Sequence, residues 1–384
     1  MSCIKYIGVD DTDIDLFESQ YIVPEGMCYN SYLIEDEKIA IMDTVDNRKS
    51  AEWLEKLKDA LTGRKPDYVV IQHMEPDHSG SLACLLNAYP ELTVVASAKA
   101  LQYMPQFFEK IQIKSLSVAE GDTLNLGKNT LQFIAAPLVH WPEVIVSYMA
   151  SEKVLFSADG LGKFGAYDAD PDDWACEARR YYFNICGKYG PQVSALLKKA
   201  SGIEIQKICP LHGPVLEGEK LAEALRLYSI WANYDVETPG GVLVAYASIH
   251  GGTKAAAEKL ADIIKAKGAT KVAVTDLCRD DMAEAIEDAF RMESMVLACA
   301  TYDGNIFPPM QTFLYKLSIK GYQKRRVGLM ENGTWAPQAA RIMRGMMEGM
   351  KAIEIVEPTV TIKSRMKESD IDQLNALADA IVKK

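Results

Sequence analysis

Ile71-Gln72-His73-Met74-Glu75-Pro76-Asp77-His78-Ser79-Gly80 places four potential metal ligands, His73, Glu75, Asp77 and His78, within six residues. The run before it, Tyr68-Val69-Val70-Ile71, follows Pro66-Asp67 and has the β-branched and aromatic make-up of a buried strand. A strand therefore delivers its end into the ligand cluster. Pro76 and Gly80 are expected to keep the cluster in a loop and out of a helix, so that side chains close in sequence converge on a small volume. Imidazole nitrogen with carboxylate oxygen suits iron, manganese or zinc, and paired carboxylates make room for more than one cation.

The competing reading is a polar surface loop, and the distribution of histidine opposes it. The chain has five, and His140 and His212 also follow apolar strand-like runs and precede a Pro or Gly turn. Asp159 closes the strand Lys153-Val154-Leu155-Phe156-Ser157-Ala158, where a carboxylate can either shape a turn or bridge two cations. Beside the other ligands, the bridging role is expected.

Composition narrows the classes. At 384 residues, with 48% hydrophobic and 25% charged, two or three globular domains are expected. A net charge of -11 without any dense Lys/Arg run argues against a nucleic-acid partner. The N-terminus lacks an apolar signal core and no run reaches the roughly 18 apolar residues of a membrane span, so a cytoplasmic protein with no membrane partner is expected. Eight scattered cysteines with no Cys-x-x-Cys read as free thiols in a reducing compartment.

Up to about residue 236 the pattern mixes strands and helices. Tyr29–Ile34 and Ile39–Asp43 read as a hairpin, Lys49–Thr62 as a helix, and Ile203–Ile208 as the strand leading to His212. Ligands at strand ends in such a mixture fit a sandwich with outer helices. Glu237-Thr238-Pro239-Gly240-Gly241 reads as a short linker. From residue 241 five βα units follow, the count of a doubly wound parallel sheet with strand order 2-1-3-4-5 and a ligand at the carboxyl ends of its strands. There, Ser248-Ile249-His250-Gly251-Gly252-Thr253 can surround a phosphate with hydroxyls, backbone amides and a helix N-terminus. Thr301-Tyr302-Asp303-Gly304-Asn305 and Glu331-Asn332-Gly333-Thr334-Trp335 are expected at the same end, with Tyr302 or Trp335 available to cover a flat ring.

With these residues in place the whole chain resembles the flavodiiron proteins, or A-type flavoproteins. The most specific mark is His-x-Glu-x-Asp-His at 73 to 78, because hydrolytic relatives usually carry a second His where this chain has Glu75. The resemblance implies a metallo-β-lactamase-like αββα sandwich over residues 1–236 and a flavodoxin-like domain over 241–384 that binds FMN. It implies one iron on His73, Glu75 and His140, a second on Asp77, His78 and His212, and Asp159 between them. It further implies reduction of dioxygen to water or nitric oxide to nitrous oxide with electrons from FMN, a pocket tyrosine at Tyr181 or Tyr182, and a head-to-tail homodimer or dimer of dimers. Where many members carry a His near the metals this chain has Pro24-Glu25-Gly26, and the loop after Asp159 is shorter. No rubredoxin or flavin-reductase extension follows, so a separate electron-donor protein such as a rubredoxin is expected.

Two other classes fit parts of the sequence. A zinc-dependent hydrolase fused to a flavin-binding module is permitted by the scaffold, since fold does not fix chemistry, but Glu75 opposes it. A flavodoxin-type electron carrier with a structural metal is opposed by seven ligands, more than a closed four-ligand site requires.

Overall fold

The computed structural model describes residues 3–109, 111, 113–169 and 173–382. They form two compact units, Met1–Tyr182 with Pro191–Ser229 and Phe183–Gly190 with Ile230–Lys384.

In the first unit two six-stranded sheets share one core, as the αββα sandwich requires. One sheet runs Ile4–Tyr6, Tyr32–Ile34, Ala40–Met42, Tyr68–Ile71, Thr93–Ser97, Lys114–Val118 in spatial order. The other runs Thr123–Asn125, Thr130–Ala135, Ile145–Met149, Val154–Phe156, Lys207–Cys209, Leu216–Glu217. Met42, Val70 and Val95 of the first meet Phe133, Ile145 and Phe156 of the second. The alternate residues Ile41, Val69, Ile71 and Val94 are buried as well. Both faces of the central strands are therefore covered, which is why their sequences read as unbroken apolar runs. Each such side chain contributes about 1.5–3 kcal/mol when it leaves water.

The central strands Ala40–Met42, Tyr68–Ile71 and Thr93–Ser97 are parallel, as are Val154–Phe156 and Lys207–Cys209. Each parallel set brings its carboxyl ends to one edge, and the ligands follow those ends.

Local geometry corrects several expectations. Pro76–Ser79 is a single helical turn, not a loop: proline at the first helical position gives up an N–H that has no partner there anyway, and the Glu75 carbonyl accepts from His78 N at 3.0 Å and Ser79 N at 2.9 Å. Tyr29–Ile34 is two strands. Met27–Tyr29 pairs with Val9–Asp11 and Tyr32–Ile34 with Ala40–Met42, because Asn30 turns away to donate to the Pro210 and Gly213 carbonyls at 2.9 and 2.7 Å. The strand before His212 is only Lys207–Cys209.

In the second unit Lys271–Asp276, Thr238–Ala247, Met292–Tyr302, Arg325–Asn332 and Ile353–Ile355 lie side by side, all parallel, in the order 2-1-3-4-5. Helices Gly252–Ala266 and Ile371–Val382 pack their Leu260, Ile264, Leu374 and Leu377 onto one face. The expected linker is instead the start of the first strand. Thr238 already pairs with Met292, and the breakers Pro239, Gly240 and Gly241 sit in the irregularity between Thr238 and Val242. The division between units falls earlier, at Ser229/Ile230 within the helix Gly218–Ala232. Residues 183–190 join the second unit, where the Phe183 ring stacks on Phe290 with centroids 4.3 Å apart. No helix among the described residues is long and apolar enough to cross a membrane.

Candidate metal centre

Seven side chains converge in the first unit as two groups. His73, Glu75, His140 and Asp159 offer ligand atoms within 4.8 Å of one another, and so do Asp77, His78 and His212. Asp159 joins them. Its Oδ2 lies 3.2 Å from His73 Nε2 and 3.3 Å from His140 Nε2, while its Oδ1 lies 3.1 Å from His78 Nε2 and 3.7 Å from His212 Nε2. Glu75 Oε2 stands 2.9 Å from His140 Nε2 and 3.1 Å from His73 Nε2. Asp77 Oδ2 is 3.2 Å from the Nε2 of both His78 and His212.

Around His78, Asp77 and Asp159 these approaches are not ordinary hydrogen bonds. Both oxygens of Asp77 and of Asp159 and both ring nitrogens of His78 are buried without a hydrogen-bond partner among the described residues. Stranding that many buried polar atoms costs several kcal/mol unless something else satisfies them. Lone pairs aimed at two shared points are what a pair of cations requires, so the residues fit a dinuclear metal site.

In the metal-free protein the same side chains set one another's charge. Burial opposes charge at His73, yet the Asp159 carboxylate and the Glu143 and Glu75 hydrogen bonds outweigh it and raise its pKa well above the usual value. Burial likewise works against His78, and Asp77 and Asp159 raise it. At His140 burial is again overcome, by Asp159 and Glu75, and the pKa rises to about 9. Burial would lift Asp159, but the His78 and His73 charges hold it well below the usual carboxylate range.

Buried groups behind the ligands fix their aim. Glu143 Oε1 accepts from His73 Nδ1 at 2.8 Å and from Met74 N at 2.9 Å. Burial would raise the Glu143 pKa, but His73 and the Met74 amide lower it. As a carboxylate it has no proton to give, so His73 Nδ1 is the donor and Nε2 faces the site. His212 Nδ1 donates to the Cys28 carbonyl at 2.7 Å, which turns its Nε2 inward in the same way. Asp43 accepts from Gln72 N at 2.7 Å and Gln72 Nε2 at 3.0 Å, holding the strand end that precedes His73. The Tyr181 ring lies 5.5 Å from the ring of His212, and Tyr182 packs 5.0 Å from Tyr228.

In the second unit Ser248 Oγ accepts from Gly251 N at 3.1 Å, and Gly251 (φ +84°) precedes the helix Gly252–Ala266. A side chain at Gly252 would put its Cβ 2.2 Å from the Ser364 carbonyl, so only glycine lets the loop close. Ile249 and Tyr302 are 39% and 44% exposed and Trp335 is 81% exposed, which leaves flat surface at this sheet end.

A family model described as ODP family beta lactamase matches residues 27–213. The rubredoxin-oxygen oxidoreductase of Megalodesulfovibrio gigas is 28% identical, covering 98% of this chain and 95% of that protein. The flavodiiron protein from Giardia intestinalis superposes with a TM-score of 0.91 at 26% identity, over 98% of this chain and 94% of that one. Over nearly its whole length the chain is similar to flavodiiron proteins in sequence and in fold. A nitric oxide reductase of Moorella thermoacetica is 26% identical, again over 98% of this chain and 96% of the relative. Both of these relatives are named for a reductase activity.

Within this flavodiiron fold some expected loop residues have other duties. Thr301 and Tyr302 end the third strand and pair with Asn305–Ile306, and Thr301 Oγ1 accepts from Gln338 N at 3.0 Å. Asp303 (φ +48°) and Gly304 (φ +70°) make the turn of that hairpin. Glu331 and Asn332 end the fourth strand. Glu331 accepts from Ala340 N and Thr361 Oγ1, both at 2.9 Å, and Asn332 grips the Ser364 backbone through Nδ2 at 3.0 Å and Oδ1 at 2.9 Å. Their side chains are thus spent on bracing the loops, leaving Gly333, Thr334 and Trp335 at the surface. Sequence reasoning missed Glu143, Asp43 and the Ser364 loop. Glu143 carries a signal, a carboxylate three residues after His140. Ser364 follows a short strand, Val360–Ile362, that adds to Arg325–Asn332 and that the five-unit count overlooks.

Proposed function

We propose that this chain is a flavodiiron enzyme that reduces dioxygen to water, nitric oxide to nitrous oxide, or both, with electrons passed through FMN from a separate donor protein of the rubredoxin type. The observation that carries the reading is Asp159, whose two oxygens face different ligand groups. That division supports two irons, one on His73, Glu75 and His140 and one on Asp77, His78 and His212. When bound, a metal pair of this kind gathers both atoms of a substrate, or two substrate molecules, at one reducing centre. The two gases are those in the names of the relatives from Megalodesulfovibrio gigas and Moorella thermoacetica.

The chain's own contribution is alignment. Glu143 and the Cys28 carbonyl fix the His73 and His212 rings, and Tyr181 brings a phenol next to His212. In the other unit Ser248, Ile249, His250, Gly251, Gly252 and Thr253 would hold the FMN phosphate, with Tyr302 and Trp335 against the ring. Because ligands and flavin loops belong to separate units, we further assign a head-to-tail homodimer in which each flavin serves the partner's metals. Elemental and flavin analysis, followed by anaerobic stopped-flow oxidation of the reduced protein by each gas, tests the reading. Stoichiometric zinc without iron, together with hydrolase activity, would overturn it. A mixed dimer of a His212→Ala chain and a chain altered at Ser248 and Thr253 tests the assembly: an inactive one with the expected cofactor content refutes transfer between chains.

A further inference from the structure

An apolar cavity lies inside the first unit, behind the turn that carries Asp159. Leu155 and Ile208, register partners on neighbouring strands, line it from the sheet, and Leu196 and Leu225 from the helices Gly190–Ala200 and Gly218–Ala232. Their sequence neighbours Val154, Phe156 and Cys209 point into the sandwich core, so Leu155 and Ile208 face the other way, toward these helices. The wall also includes Val139, which precedes His140, and Gly160 and Leu161, which follow Asp159. The space therefore shares backbone with two of the ligands.

Its chemistry selects what can occupy it. Two lining residues carry hydroxyls, and both are turned to the backbone: Ser157 Oγ donates to the Gly160 carbonyl at 2.6 Å, and Tyr228 OH accepts from Leu161 N at 2.8 Å. Among the described residues the wall offers no polar surface. A buried water needs roughly two to four hydrogen-bond partners and finds none here, so the space is dry. The cavity volume is about 30 Å³. A single water requires roughly 10–15 Å³ by that measure, so a diatomic molecule is accommodated.

We propose that this cavity binds the gas substrate, a small uncharged diatomic (dioxygen or nitric oxide), and holds it one residue away from His140 and Asp159. The inference rests on the gas-reductase reading for the word substrate. Dioxygen and nitric oxide ask for no strong hydrogen bond, so entering a dry aliphatic space costs them none, and water does not compete. Held there, a gas molecule lies against Val139 and Gly160, the chain neighbours of His140 and Asp159.

Xenon, an apolar probe of comparable size, reads the cavity without any turnover. Crystals of the wild-type protein pressurised with xenon should show one atom among Leu155, Leu196 and Leu225, and Ala200→Leu, which fills the space from the helix end, should lower its occupancy at least tenfold. Stopped-flow oxidation of the reduced protein at low gas concentration should slow at least threefold in the same variant. Leu225→Phe fills the space from the other helix and serves if Ala200→Leu folds poorly. Ordered water, or no xenon, in the wild-type cavity would overturn the proposal. So would a xenon-excluding variant that reacts with both gases at the wild-type rate. Failure of the functional reading is separately visible, as wild-type protein that consumes neither gas whatever the xenon density.

Discussion

Glu143 offers the sharpest test of how the metal ligands are held, because it touches His73 but reaches no metal position itself. Its Oε1 accepts from His73 Nδ1 at 2.8 Å and Met74 N at 2.9 Å, while its Oε2 is buried with no partner among the described residues. Glu143→Gln keeps the shape and an oxygen acceptor but removes the charge. A hydrogen bond to a charged group contributes about 1.5–3 kcal/mol and a neutral one about 0.5–1.5, so His73 loses about 1–1.5 kcal/mol of support. That corresponds to roughly tenfold weaker metal binding at the first position. The new amide N–H₂ occupies the place of the partnerless Oε2, so one unsatisfied buried polar atom replaces another and the fold should lose little stability. Glu143→Ala strands both donors and frees the ring, and roughly hundredfold weaker binding is expected. Competition between the protein and a chelator for ferrous iron at one fixed pH gives the affinities, with flavin absorbance as the control for the second unit. If all three proteins hold the first metal equally, the carboxylate does not align His73 and the reasoning is wrong.

Asp159→Asn should leave flavin binding intact and lower metal content, since an amide lacks the second anionic oxygen that faces the other ligand group; iron and flavin assays on one sample separate the effects. In the metal-free protein His140 has a pKa raised to about 9, so its ion pairs contribute stability that is whole below the unfolded value near 6.5 and is lost as pH rises through 9. Metal needs the neutral ring, so uptake should release protons and the apparent affinity should climb with pH until about 9; calorimetry in two buffers of different ionisation heat counts them. Gly252→Ala drives a Cβ to 2.2 Å from the Ser364 carbonyl, and the displaced loop should weaken flavin binding at least about tenfold with metal content unchanged, read by flavin fluorescence. Burial pushes the thiols of Cys28, Cys209 and Cys299 up to about 12, so alkylation of the native protein at pH 8 should spare them and mark the part-exposed Cys3, Cys84, Cys176 and Cys278, as peptide mapping would reveal.

The sites were legible wherever the physics is local. His73 to His78 declare themselves because a β-branched run ends in a cluster of nitrogen and oxygen donors, and the five βα units because periodicity changes near residue 241. Pro76 misled because the same residue that breaks a helix interior favours its first turn. The run Thr238-Pro239-Gly240-Gly241 misled because breakers mark a bulged strand as readily as a linker. Thr301, Glu331 and Asn332 sit at the expected sheet end, but which polar side chains brace the loops depends on partners 9 to 38 residues away, such as Ala340, Ser364 and Ala339. Glu143 is 70 residues from His73, a pairing that no local pattern announces.

That long reach has a consequence for biogenesis. The seat of His212 is closed by Asn30, 180 residues earlier than the Pro210 carbonyl it grips, and by Tyr32, whose hydroxyl takes the same carbonyl at 2.9 Å. The first ligand group is complete in the nascent chain once Asp159 has emerged, whereas the second waits for His212 and for two segments at opposite ends of the domain to meet. Loop closure over such a span is slow compared with local folding. The two metal positions should therefore be filled in a fixed order during synthesis, the Glu75 side first. Chains released from the ribosome at residue 200 would retain at most one metal, and chains released past residue 230 would retain two; equal metal retention at both lengths would show that the order does not exist.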